Sequence, residues 1–283
     1  MTEHDTGQTA PRAHSSAQTH PGRKRPQNQD SIHMDDGQGL WVLADGMGGH
    51  QGGEIASAIA CEEIPAAVAD GKSLQDALRV AHRKILARGE QQPALRGLGT
   101  TVVVIHQQGH EYELAWSGDS RIYRWRKGRL QQLSEDHSIV ARMLRAGLIS
   151  DEQARTHPHQ HVISSCLGTT SGDGLEIGYR IETWEKGDWL LLCSDGLTDE
   201  LEDDTIAALL QQHNDLDAAS QALLQAALEA GGRDNVSVAL IAAPAAAPEG
   251  ISQRRPLHPA IWGVLGSVLA LVVLLAIKLL RPE

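Results

Sequence analysis

Residues Leu40–His50 read LWVLADGMGGH. An apolar run ends on Asp45 and passes straight into glycine, with Gly52 and Gly53 close behind. Leu40–Ala44 has the length and composition of a buried strand. A carboxylate at the end of such a strand is costly unless positive charge meets it. The glycines strip the next turn of side chains, so a backbone carbonyl such as that of Gly46 can approach a small ion. The stretch does not make a phosphate-binding loop. It lacks a closing Gly-Lys-Ser/Thr, and Gln51 stands where G-x-G-x-x-G counted from Gly46 needs glycine.

Four further aspartates share this setting: Asp30 in NQDS, Asp119 in SGDSR, Asp195 in CSDGL and Asp234 in GRDNVSV. Each alone reads equally well as a turn residue. Packed together without counterions, they would repel one another and raise each other's pKa. Hard divalent cations, Mg²⁺ or Mn²⁺, resolve that conflict because they take carboxylate, carbonyl and water oxygens.

The rest of the composition bounds the answer. The chain has 283 residues, 41% hydrophobic and 22% charged, with no Phe, so aliphatic residues and Trp must fill the core. A formal net charge of −11 argues against nucleic-acid binding. Cys61, Cys166 and Cys193 are three in number and scattered, which fits a reducing compartment and neither a disulfide frame nor a thiolate zinc site.

Strand patterns fall at 40–44, 100–106, 111–117, 121–126, 176–181, 189–193 and 236–241, with Gly109 and Gly128 as hairpin turns. Helical periodicity covers 53–68, 74–88, 138–146, 203–212 and 216–230. Antiparallel strands with separate helix pairs predict an α+β fold. Residues 1–12 are polar and expected to be disordered. The folded domain is expected over 13–242, followed by a Pro/Ala-rich linker over 243–259. Ala260–Ile277 is an uncharged run of 18 residues, about 27 Å as a helix, so 260–280 reads as a transmembrane helix. Without a signal peptide, the preceding domain is expected to stay in the cytoplasm.

In order along the chain, RPQNQDS (25–31), ADGMGGHQGGEIAS (44–57), GTT (99–101), SGDSRIY (117–123), DHS (136–138), LG (167–168), CSDGLTD (193–199) and GRDNVSV (232–238) stand in one register. Together they resemble the metal-dependent protein phosphatases of type 2C, in the compact bacterial form. The resemblance covers about residues 13–242. It implies a central antiparallel β-sandwich flanked by helix pairs, with a two-metal centre at one edge. By resemblance Asp45 bridges two Mn²⁺ or Mg²⁺ ions and the Gly46 carbonyl binds one of them. Asp195 and Asp234 hold the other, and Asp119 with Asp195 matches a third, weaker site. Asp30 orients the attacking water, and Arg25 grips the substrate phosphate.

Two departures matter. Met47 occupies a position where eukaryotic members often carry a general-acid His, which leaves the acid open between a water and His50. Gln29 replaces a more usual Glu before Asp30, removing one charge near the metals. The segment 136–172 matches a flap beside the site. Within it, HPHQH (157–161) reads as a surface segment rather than a metal site. The implied activity is hydrolysis of phosphoserine and phosphothreonine in proteins, opposing a Ser/Thr kinase near the membrane. A phosphatase for small phosphoesters and a phosphoprotein-binding regulator without turnover are the alternatives.

Overall fold

The computed structural model describes residues 13–48, 52–169, 174–245 and 247–248. The tail 1–12, His50, the last residues of the flap and the run 260–280 lie outside them. Among the described residues no helix is long and apolar enough to cross a membrane.

The chain opens with three strands, β1 (His14–His20), β2 (Asp30–Asp35) and β3 (Leu40–Met47). Two long helices follow, α1 (Gly52–Ala69) and α2 (Leu74–Gln91). Next come β4 (Gly99–Thr100), β5 (Val102–Gln108), β6 (Glu111–Ser117), β7 (Arg121–Arg126) and β8 (Arg129–Gln132). The flap carries α3 (Ile139–Arg145) and α4 (Asp151–Arg155). After it lie β9 (Gly178–Thr183), β10 (Trp189–Cys193), the single turn α5 (Asp195–Thr198), α6 (Asp203–Gln212), α7 (Leu216–Ala230) and β11 (Val236–Ala242).

One sheet has the order β1-β11-β10-β7-β8 and the other β2-β3-β5-β6-β9, with β4 added to the end of β3. All pairings are antiparallel. Alternation along β3 explains the layering. Leu40, Val42 and Ala44 join α1 and α2 in one apolar cluster. Trp41 and Leu43 point the other way, into the interior between the sheets, where they meet Trp184, Leu190, Leu192 and Ile241. A third cluster packs α6 and α7 on the outer face of the first sheet. A strand buried on both faces needs apolar residues at every position, which is why 40–44 shows no polar alternation. With no Phe available, Trp41, Trp184, Tyr112 and Tyr123 are the largest fully buried side chains.

Helix starts follow capping chemistry. Ser73, Ser138 and Asp215 accept from the backbone N–H groups of Asp76, Ala141 and Ala218, and Ser150 forms a reciprocal capping box with Gln153.

Several boundaries differ from the sequence expectation. β3 runs on through Asp45, Gly46 and Met47 because β4 pairs with that glycine-bearing end. β9 begins at Gly178 rather than at Glu176. A Cβ at Gly178 would lie 2.0 Å from the Trp116 ring, so that glycine sets the register. β1, β2 and β8 have few fully buried residues, so no apolar pattern announced them. The folded unit also continues past Ala242. Ala247 is buried in the sandwich interior, and the Pro248 carbonyl accepts from the Lys186 N–H at 2.9 Å.

Candidate metal centre

Strand polarity brings the acids together. β2 and β3 are paired so that Asp30 lies directly opposite Asp45. β10 ends at Cys193 and delivers Asp195 into the first turn of α5. Asp234 immediately precedes β11, and Asp119 lies in the tight connection between β6 and β7. All five carboxylates therefore emerge at the same end of the sandwich.

Asp30 is buried. Its Oδ2 accepts from the Ser194 hydroxyl at 3.0 Å, while its Oδ1 has no hydrogen-bond partner. Burial raises its pKa to about 6. Asp45 stands between two acids, with Asp30 across the strand pair and the Asp195 carboxyl in hydrogen-bonding contact. Burial first, and then the Asp30 charge, push its pKa well above the ordinary carboxylate range. Asp195 is raised likewise, by burial and then by Asp119. Asp119 has a buried, partnerless Oδ1, and burial followed by the Asp136 charge raises it to about 7.

The adjacent cation is Arg25, whose Nη2 lies 2.6 Å from Asp234 Oδ2. That hydrogen bond raises the Arg25 pKa further, with smaller contributions from Asp195 and Asp45. Arg25 is more than half exposed, so it stands at the rim.

The donor set fits hard divalent cations. It consists of carboxylates, two of which carry buried oxygens with no partner, and it holds more negative charge than one arginine offsets. The set is drawn together but not closed. Among the described residues no three Asp, Glu, His or Cys side chains already surround one point as a cage. Asp45 instead touches its neighbours pairwise.

The backbone around Asp45 is clamped from two sides. Its carbonyl accepts from the Thr101 N–H at 2.9 Å and from the Thr100 hydroxyl at 2.8 Å. On the other side the N-terminus of α1 rests on Gly46. A Cβ on Gly46 would lie 2.1 Å from the Gly53 carbonyl oxygen, and one on Gly53 would lie 2.6 Å from the Gly46 oxygen. The glycines are thus required by helix–strand contact, beyond any access they give the Gly46 carbonyl.

Sequence reasoning gave no role to two residues that organise the site. Asn235 is buried. Its Oδ1 accepts from the Gln29 N–H at 2.8 Å, and its Nδ2 donates to the carbonyls of Pro21 at 3.0 Å and Gln27 at 2.8 Å. It staples the loop bearing Arg25 to the start of β11. Ser194 supports Asp30 while also accepting from the Ser237 N–H at 3.0 Å. A polar residue wedged between a candidate ligand and an apolar strand was the available signal for both.

Four other residues weighed from sequence lie at the margin. Met47 Sδ contacts the Cys166 thiol at 3.5 Å. In the HPHQH segment, the His157 and His159 rings meet at a tilt with centroids 5.5 Å apart, and His161 Nδ1 lies 3.3 Å from Asp199 Oδ2.

Comparison with known proteins agrees with this arrangement. Residues 18–230 match the family described as protein phosphatase 2C. The serine/threonine protein phosphatase PstP of Mycobacterium tuberculosis is 36% identical over 228 residues, covering 78% of this chain and 43% of PstP. The chain therefore spans less than half the length of that relative. The serine/threonine phosphatase stp of Listeria monocytogenes is 32% identical over 241 residues, covering 81% of this chain and 95% of that protein. A solved catalytic domain of PstP, in complex with two manganese ions, superposes with a TM-score of 0.72 at 34% identity, covering 82% of this chain and 98% of that one. With its acids, glycines and strand order in this register, the chain belongs to the protein phosphatase 2C family.

Proposed function

We propose that this protein hydrolyses phosphoserine and phosphothreonine in phosphorylated proteins, using two Mn²⁺ or Mg²⁺ ions. The observation that carries the reading is the convergence of Asp30, Asp45, Asp119, Asp195 and Asp234, mutually repelling, at one end of the sandwich. Family membership and the manganese-bound relative support it. Asp45, the Gly46 carbonyl, Asp195 and Asp234 would hold the two ions, and Asp119 with Asp195 a third. When bound, the cations supply a nucleophilic water near neutral pH and neutralise phosphoryl oxygens.

The chain's own groups do the rest. Arg25 presents a planar fork that matches two phosphoryl oxygens. Its pairing with Asp234 keeps the guanidinium pre-aimed at the site, and a phosphate must displace that carboxylate to be gripped. Asp30, fixed by Ser194, accepts a proton from the attacking water and holds its lone pair toward phosphorus. Asn235 keeps the Arg25 loop at its distance from Asp234.

The run 260–280 supports a C-terminal membrane anchor, with the catalytic domain on the cytoplasmic side. That location suits a role opposing a membrane-bound Ser/Thr kinase.

The test is turnover of a phosphothreonine peptide by the full chain, with Mn²⁺ and with chelator. Activity should need the metal and fall at least about a hundredfold in Asp45→Asn. Metal-independent turnover, or an unaffected Asp45→Asn variant, overturns the assignment. Turnover of small phosphoesters but not of the peptide narrows it to the wrong substrate class.

A further inference from the structure

Asp136, His137 and Ser138 form the root of the flap, and each is tied down differently. The Arg121 guanidinium donates to both Asp136 oxygens, at 2.7 to 3.1 Å. Ser138 caps α3. His137 turns inward instead. It is only 3% exposed, and its ring lies over Trp116 with centroids 6.4 Å apart and planes 25° from parallel.

His137 holds Gly118 by both of that residue's polar backbone atoms. The His137 N–H donates to the Gly118 carbonyl at 2.8 Å, and the Gly118 N–H donates to His137 Nδ1 at 3.3 Å. An accepting Nδ1 requires a neutral ring with its proton on Nε2. Burial keeps the His137 pKa below the ordinary histidine value, against the pull of Glu176, whose Oε1 lies 3.9 Å from Nε2. The ring is therefore mostly neutral at about pH 7.

Gly118 needs such a hold from outside. Its φ is 114°, and a Cβ there would lie 2.5 Å from Thr101 Cβ. The position is confined to glycine, so it has no side chain with which to brace the turn. On the far side of Asp119, Ser120 Oγ lies 2.7 Å from Thr101 Oγ1. Asp119 stands between these two anchors, and its buried Oδ1 has no hydrogen-bond partner. The backbone on either side sets the aim of that carboxylate.

We infer that His137 is a positioning residue for the third cation site: its Nδ1 and backbone N–H fix Gly118 and, through it, the aim of the Asp119 carboxylate. The inference rests on the metal-dependent reading proposed above. Asp45 and Asp234 stand on other elements, so the two tighter sites do not depend on this grip. A residue that merely filled the core would need only an apolar group over Trp116. The acceptor at Nδ1 is what the Gly118 N–H requires.

The experiment is calorimetric titration of the full chain with Mn²⁺, the third site being the one that Asp119→Asn removes. His137→Leu keeps an apolar group over Trp116 but has no acceptor. It should weaken the third site about tenfold and leave the two tighter sites within about twofold of wild type. His137→Asn places its Oδ1 where Nδ1 stands, and should hold the third site within about twofold of wild type. His137→Gln, whose amide falls near Nε2, should not. Unchanged third-site affinity in His137→Leu overturns the inference. So does equal third-site affinity in the Asn and Gln variants, the comparison that decides the matter if His137→Leu fails to fold. An equal loss at all three sites, without rescue by Asn, leaves His137 a packing residue and overturns it too. Wild-type protein that saturates at two ions overturns this inference and leaves the two-metal reading standing, whereas protein that binds none removes both.

Discussion

Asp30 and Asp45 face each other across one strand pair, and the cost of that contact sets a pH signature. Burial raises Asp30 to about 6 and Asp119 to about 7, and holds Asp45 and Asp195 higher than ordinary carboxylates. The folded state therefore keeps protons that the unfolded chain releases. Stability from these groups is full below about pH 4 and is lost as pH rises through the folded values. Chelated protein should melt higher at about pH 5 than at about pH 8, and added Mn²⁺ should raise the melting temperature more at the higher pH. Scanning calorimetry with and without chelator checks both; a metal-free protein more stable at high pH contradicts the clustering. Asn235→Ala removes three hydrogen bonds at a buried position and should cost about 2–4 kcal/mol in urea denaturation, with a raised KM for the phosphopeptide. At this scale the candidate ligands were legible, because each acid sits at a strand end beside Gly, Ser or Asn. Asn235 and Ser194 were not. Their work depends on partners distant in the chain, Pro21 to Gln29 for one and Asp30 for the other.

Helix α1 meets β3 through glycine on both sides, so that contact is sensitive to a single methyl group. Gly53→Ala would drive a Cβ toward the Gly46 carbonyl and should cost about 1–3 kcal/mol. The displaced carbonyl should also weaken Mn²⁺ binding, measured by calorimetric titration; unchanged stability and affinity would show that the helix end yields freely. Elements with a complete apolar face were readable from sequence, and α6 and α7 begin and end where periodicity places them. The edge strands were not. β1 presents one buried residue among seven, so its strand character comes from pairing with β11 rather than from composition. β9 was misplaced by two residues because its register answers to the Trp116 ring, on a different strand.

Across the whole molecule, antiparallel patterns and separated helix pairs pointed to an α+β fold, and the family resemblance implied the two sheets with flanking helix pairs. The domain limit was harder, since Ala247 is buried beyond a stretch that reads as linker. A chain cut after Pro248 should keep its melting transition and metal-dependent turnover while losing vesicle flotation. A cut after Ala242 should lose about 1–2 kcal/mol more, from the burial of Ala247 and the Lys186–Pro248 bond. Identical denaturation curves for the two cuts would place the boundary at the end of β11.

β1 joins the scales. It covers one side of β11 over its full length, from His14 opposite Ala242 to His20 opposite Val236, and its own sequence is polar. Take it away and β11, whose seven residues are all buried, becomes an unguarded ladder of backbone donors and acceptors. The first strand is thus a seal against self-association as well as the lead-in to Arg25. Trimming the chain to start after His20 would leave every acid of the site in place, yet would yield protein that pairs edge to edge and precipitates.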